Sequence, residues 1–395
     1  MRILFIIDSM QRHLFFFRVA TALKSEHQIF FSSSEPLSIL MARLGGFNGK
    51  HLSKKEKCTG VFSRISILEA AQNSIEVLNG VFTNSEAARD IELIAEGLYA
   101  YIKEQKIQKV VIWNGQQLIG RAAKLAALKT CIPCQYLELS NLPGKLFADP
   151  EGVNALSSIA RNIDIIDQLP AVPEALHKEW LDLYESEKKK PLPQARKSTK
   201  EIILSILNYG AKRAFNSTCI VPLRKKRKVF FTPPTLAAKT SSYPHPKDYI
   251  FLPLQVSSDT QIKLHSKYSN LDAIRYAHME AQRKGLALIV KIHPAENDPR
   301  EFEAVKGAQD KLGFLVSTQN TVELIQGATA VITINSTVGM EALLYGKPVT
   351  ALGQCLYKKF NEIRLKKYIH CYLVSDIEYF SSAQINSSSA KKLIE

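Results

Sequence analysis

A glycine-rich phosphate fingerprint after the first strand, long apolar runs and a second pair of closely spaced cysteines are all missing from this chain. The turn after the opening apolar strand, Asp8-Ser-Met-Gln-Arg12, has no G-x-G-x-x-G pattern, so no dinucleotide site is expected in it. No apolar run approaches the ~18 residues of a membrane span. The first residues, Met-Arg-Ile-Leu-Phe-Ile-Ile-Asp8, meet a charge early and offer no small-residue cleavage site, so they read as a strand and the chain is expected in the cytoplasm. Of the six cysteines only Cys131-x-x-Cys134 has a suggestive spacing. One such pair is a weak zinc signal, and its apolar flanks favour buried thiols, so no metal is expected.

What is present is a globular composition with an uneven charge. Hydrophobic residues make up 46% and charged residues 23% of 395, enough for two ordinary domains with separate cores. Net charge is +15, and between Lys188 and Lys228 thirteen Lys and Arg face one acid, Glu201, so this segment alone carries +12. The expected division is 1–185, 186–245 as a basic linker or membrane-proximal segment, and 246–395. Within the linker, 201–215 sets an apolar stretch beside basic residues, as an interfacial helix does; a domain-connecting helix with a solvated basic face is the competing reading. Interleaved aromatics and a recognisable module are lacking, so nucleic acid is not expected as a partner.

Periodicity predicts a β-α-β opening (strand 3–7, helix 11–25, strand 28–31), helical pattern over 70–105, strand 109–113, helix 118–128 and strand 134–139. Residues 155–185 read as helical. The second half repeats the alternation from strand 249–254 to the stretch around Asn335-Ser336-Thr337. Alternating strands and helices in both halves predict two doubly wound, Rossmann-like α/β domains facing a central cleft.

Three polar turns follow strands of the second half: Gln255 to Asp259, His293-Pro294, and Asn335-Ser336-Thr337. Parallel strands bring their carboxyl ends to one edge, so these turns are expected to converge. Together they offer a carboxylate, an imidazole, hydroxyls and a helix N-terminus, a set suited to group transfer from a phosphate leaving group. Each has a plainer reading: His-Pro is a common loop start, Asp259, Ser336 and Thr337 can be helix caps, and Glu341 can be a solvated helix residue. In the first half, Glu138, Ser140 and Asn141 and the turns through Asp149-Pro-Glu-Gly152-Val-Asn154 predict a shaped binding loop.

The combination Pro253-Leu-Gln255-x-x-x-Asp259, Lys291-x-His293-Pro294 and Asn335-Ser336-Thr337-Val-Gly339-x-Glu341-Ala-Leu resembles the capsule polysaccharide synthesis family, which includes Kps-type and O-antigen-capping β-Kdo transferases. The run Tyr136-Leu-Glu138 through Asn154 is similar to it as well, and the resemblance covers roughly 105–360. It implies a GT-B architecture and a retaining, metal-independent β-Kdo transferase without cofactor. The donor is then CMP-Kdo and the acceptor an anionic, lipid-linked capsule or lipopolysaccharide glycan. The implied roles are catalytic for Asp259, Glu138 and His293. Gln255, Lys291, Pro294, Asn335, Ser336, Thr337 and Glu341 bind the donor, and Asn141 and Asn154 the acceptor. Further expectations are a peripheral place on the inner membrane and membership of a capsule assembly complex. Rival readings are a transferase of CMP-sialic acid or another nucleotide sugar, and a non-catalytic assembly scaffold.

Overall fold

The computed structural model describes residues 1–188, 199–221 and 246–395. They form two compact units: the described residues of Met1–Ser158, Gln168–Pro222 and Lys367–Glu395 make the first, and Ile159–Asp167 with those of Leu223–Lys366 the second. Each is Rossmann-like, and the fold is of the α/β class, with a mainly parallel sheet in each unit.

The first unit is built on β1 (Arg2–Ile7), β2 (Gln28–Ser33), β3 (Asn48–His51), β4 (Lys109–Trp113), β5 (Cys134–Leu139) and β6 (Lys145–Asp149), joined by β12 (Val374–Ser375) from the far end of the chain. Their order is β12-β6-β5-β4-β1-β2-β3. The strands from β3 to β5 are parallel, β6 is antiparallel to β5, and the edge strand β12 is antiparallel to β6. β1 is apolar on both faces because both are covered. Ile3, Phe5 and Ile7 share a core with Phe15, Phe16 and Val19 of the helix Met10–Leu23, while Leu4 and Ile6 are buried on the opposite face. Chain order reverses between β1 and β4, which makes that gap the switch point of the sheet.

The second unit is built on β7 (Tyr249–Pro253), β8 (Ala287–Lys291), β9 (Leu315–Val316), β10 (Ala330–Thr333) and β11 (Val349–Ala351). All pairings are parallel in the order β11-β10-β7-β8-β9, and the switch point lies between β7 and β10. Ile250 and Leu252 pack against Ala273 and Ile274; Tyr249 and Phe251 pack on the other face against Leu324 and Ile325. The helix Asn270–Lys284 opens with a Ser269/Asp272 capping box and stops at Gly285, whose φ of 66° is the left-handed stop a side chain would resist.

Four expectations are corrected. The chain after 366 does not complete the second domain: Val374 pairs with Leu146, Ile377, Tyr379, Leu393 and Ile394 bury in the first core, and Arg18 donates to the carbonyls of Glu378, Tyr379 and Ala383. The helical run 155–185 is broken into Ser158–Arg161, Asp164–Asp167 and Glu174–Lys188, with Pro170 and Pro173 in the break. Within the expected linker, Thr199–Ala214 is a helix of the first unit, whereas 189–198 and 222–245 lie outside the described residues. The thiol of Cys131 is exposed rather than buried, since it sits in the turn that ends the helix Leu118–Lys129.

Candidate active site

At the switch point of the second unit, Gln255 follows β7 and Asn335 follows β10. Gln255 Nε2 donates to Asn335 Oδ1 at 2.9 Å, and the Asn335 amide donates back to Gln255 Oε1 at 3.0 Å. Both residues are buried. Gln255 Nε2 also donates to Asp259 Oδ2 at 3.1 Å, and Asp259 Oδ1 caps the helix Thr260–His265 by accepting from the Gln261 amide at 2.9 Å. Capping is therefore real at Asp259, and Gln255 fixes which way its other oxygen points.

Glu296 joins this group to the His-Pro turn. Its Oε2 accepts from the Ser257 amide at 2.6 Å, and its Oε1 accepts from the amides of Asn297 and Asp298 at 2.8 and 2.9 Å. Burial pushes the Glu296 carboxyl up, yet these backbone donors outweigh it and hold it below the ordinary range. His293 Nδ1 accepts from the Ala295 amide at 3.0 Å, so its neutral ring carries the proton on Nε2. Partial desolvation of that ring lowers its pKa, against the upward pull of Asp259 and Glu296. Pro294 is exposed in the same turn. The three polar turns thus do converge on one sheet edge.

Ser336 caps the helix Thr337–Leu344 by accepting from the Val338 amide at 3.2 Å, and Thr337 stands exposed beside it. Tyr357 donates its hydroxyl to the Ser336 carbonyl. That contact requires Gly339, because a Cβ there would lie 2.5 Å from the Tyr357 hydroxyl. Glu341 is 8% exposed, which excludes the solvated-helix reading. Two expected donor ligands are engaged elsewhere. Asn335 Nδ2 donates to the Gln261 carbonyl at 2.9 Å, and Lys291 Nζ donates to the Gln319 carbonyl and to Thr321 Oγ1. Asn335 thus braces the helix Thr260–His265, and Lys291 ties β8 to the start of the helix Thr321–Gly327.

A second constellation occupies the switch point of the first unit. Glu138 on β5 accepts from Nδ2 of Asn114, the residue that follows β4, and from the Leu139 amide at 3.0 Å. Asn114 reaches it from a left-handed conformation with φ of 57°. Burial raises the pKa of Glu138; Asn114, Leu139 and Arg12 pull it down, and Asp8 adds to the rise. Asp8 follows β1, and both of its carboxyl oxygens are buried without a hydrogen bond of ordinary geometry among the described residues. Burial raises its pKa too, although Arg12, Ser9 and Gln117 oppose this. Arg12 lies 4.2 Å over the Trp113 ring and donates to the Tyr379 hydroxyl. The Glu76 carboxyl, which accepts from the Leu118 amide at 3.0 Å, is pushed up to about 7 by burial.

The two expected acceptor ligands are not brought together. Asn141 is exposed in the β5–β6 turn, on the side of Glu138, with φ of 59°. Asp149 pairs with Tyr136, so the chain runs back past the start of β5 before it reaches Asn154. The shaped loop exists, and its organiser is Asp149, wholly buried, which accepts from the Glu151, Gly152 and Ser158 amides and from the Ser158 and Tyr372 hydroxyls. Sequence reasoning placed Asp149 in the shaped loop without seeing it as the organiser, and missed Asp8, Asn114, Glu296 and Tyr357 as site-builders. Of these four Asp8 carried a signal, as a carboxylate directly after a buried strand.

Residues 108–360 match the family described as capsule polysaccharide biosynthesis protein. Protein FixF of Sinorhizobium fredii is 28% identical over 314 residues, 78% of this chain and 61% of FixF. Capsule polysaccharide export protein KpsS of Escherichia coli is 27% identical over 264 residues, 60% of this chain and 64% of KpsS. The match thus spans less than two thirds of each of these relatives. The solved structure of Thermosulfurimonas dismutans KpsC, beta Kdo 2,7 transferase, aligns over 75% of this chain and 88% of that one at 15% identity, with a TM-score of 0.41. With the family match covering well over half of its length, the chain belongs to the capsule polysaccharide biosynthesis protein family.

Proposed function

We propose that this protein is a retaining glycosyltransferase that moves β-Kdo from CMP-Kdo to an anionic, lipid-linked capsule or lipopolysaccharide glycan. It works without a metal, on the cytoplasmic face of the inner membrane, alongside other capsule assembly proteins. The observation that carries this reading is the Asp259 carboxylate held by Gln255 at the switch point of the second sheet, within the electrostatic reach of His293. The Kdo donor itself rests on the motif resemblance.

In this reaction an Asp259 oxygen attacks the anomeric carbon of Kdo. A carbon–oxygen ester bond forms, and the bond to the CMP phosphate breaks with its electron pair leaving on the phosphate. Negative charge grows on that phosphate, where His293 Nε2–H and the turn at Ser336 and Thr337 offer donors. The acceptor hydroxyl then attacks the same carbon, losing its proton to Glu138 and expelling Asp259. Two inversions give net retention. Glu138 suits the base role because burial keeps its proton affinity above that of an ordinary carboxylate. Asp8 beside it adds to that affinity.

A donor screen tests the assignment. With a Kdo-primed lipid acceptor, CMP release from CMP-Kdo is expected, with no UMP or UDP from uridine-linked sugars. Release only from CMP-sialic acid would redirect the donor, and inactivity with every CMP-linked keto-acid sugar would leave the scaffold reading.

A further inference from the structure

The helix Thr199–Ala214 has its polarity inverted. A surface helix ordinarily turns its apolar stripe inward and its polar face to water. Here, among the described side chains of the helix, Asn208 and Lys212 are the buried ones, at 4% and 8% exposure. Asn208 Nδ2 donates to Glu35 Oε2 and Lys212 Nζ to Glu35 Oε1 at 2.6 Å, while Asn208 Oδ1 accepts from the Leu37 amide at 3.3 Å. Ile203, Ile206 and Leu207, spaced i, i+3, i+4, stand 52%, 66% and 60% exposed on the other side. Phe215, just beyond the helix, is 62% exposed, and Leu40 and Leu44 are exposed on the helix Pro36–Leu44 against which it packs.

Nothing in the chemistry of either switch point uses this stripe, and the composition of the sequence that carries it points to what covers it. The sequence from Lys188 to Lys228, which contains the helix, carries thirteen Lys and Arg against one acid. A second copy of the chain would bring a second segment of +12, tethered by the sequence to the same helix, and be repelled. Nucleic acid would answer the charge but not the aliphatic residues, which cannot stack on bases. An anionic bilayer surface answers both, since acidic headgroups pair with the basic residues and the acyl boundary accepts the aliphatic ones.

We propose that the helix Thr199–Ala214 lies in the headgroup plane of an anionic membrane with Ile203, Ile206 and Leu207 inserted, held to the first unit by the Glu35 clamp on Asn208 and Lys212. The inference deepens the membrane-face part of the proposed function and is independent of the donor, because binding rather than transfer is measured. Such an anchor differs from a purely electrostatic one in depending on side chains that carry no charge.

The test is flotation of the full chain with vesicles of phosphatidylglycerol and phosphatidylcholine at about 3:7, compared with phosphatidylcholine alone. The wild type floats with the anionic vesicles. Ile206→Ser with Leu207→Ser, which leaves net charge unchanged, weakens that binding by about tenfold or more. Thermal unfolding of this variant matches the wild type. An Ile203→Trp variant shows a blue-shifted emission that brominated lipids quench. Undiminished vesicle binding by the double variant overturns the insertion. So does a wild-type dimer that the double variant loses in a protein that never floats, because the stripe is then a contact between copies.

Discussion

Gln255 and Asn335, 80 positions apart, exchange two hydrogen bonds across the gap between β7 and β10, Nε2 to Oδ1 at 2.9 Å and amide to Oε1 at 3.0 Å. That gap is where chain order reverses in the second sheet, and the same Gln255 Nε2 holds Asp259. Replacing Gln255 by Ala strands the buried Asn335 amide and releases Asp259. The expected loss is about 2–3 kcal/mol of stability, together with most of the transferase activity. In a double-mutant cycle with Asn335→Ala the losses are less than additive by about 1–2 kcal/mol in urea unfolding. Strict additivity would mean that the two side chains act apart.

Gly339 allows Tyr357 to reach the Ser336 carbonyl, since a Cβ would stand 2.5 Å from the Tyr357 hydroxyl and 2.9 Å from its ring. Helix propensity alone would make Gly339→Ala stabilising by about 1 kcal/mol. Overpacking reverses that sign, to a net loss of about 1–3 kcal/mol, and disturbs the turn at Ser336. Thermal unfolding and the donor KM check it. Stability falls, KM rises several-fold, and adding Tyr357→Phe, which deletes the nearest atom, recovers part of both. A stabilised Gly339→Ala variant with unchanged KM would contradict the role given to this contact.

The pH–rate profile separates the neighbours of Glu138. A general base works when ionised, so kcat/KM rises with pH through the raised pKa of Glu138. Arg12 lowers that pKa and Asp8 raises it. Arg12→Met therefore moves the acid limb to higher pH, and Asp8→Asn moves it to lower pH. Shifts of the same sign, or none in either variant, would remove Glu138 as the titrating base.

Glu76 makes a prediction about stability. Its folded pKa of about 7 lies above the model-compound value of 4.5, so between these pH values the folded state holds a proton that the unfolded chain has lost. Stability from this group is full below the lower value and disappears as pH rises through the upper one. Glu76→Gln, which keeps an acceptor for the Leu118 amide, loses less stability than the wild type between pH 5 and pH 8, measured as the urea midpoint. An unchanged pH dependence would place the titration elsewhere.

The apolar strands and the polar turns after them were legible in the sequence because a parallel sheet buried on both faces leaves continuous apolar runs that end at its polar edge. Convergence of Gln255, His293 and Asn335 followed from that geometry alone. Strand order is not written in local periodicity, so the placing of Asp8 beside Asn114 and Glu138 was not visible. Nor was the return of the C-terminus, where a two-residue strand, Val374–Ser375, gives no periodic signal and Arg18 reaches its partners from about 360 positions away. The break at Pro170 and Pro173 was not read, because the helical pattern on either side concealed it.

Asp259 is the residue on which the account turns. The direct measurement is the intact mass of the protein incubated with CMP-Kdo and no acceptor, followed by peptide mapping and by transfer assays with a Kdo-primed lipid acceptor. The account predicts CMP release, a mass gain of one Kdo residue on the peptide containing Asp259, and loss of both the adduct and transfer in Asp259→Ala. Transfer by Asp259→Ala at the wild-type rate would contradict it.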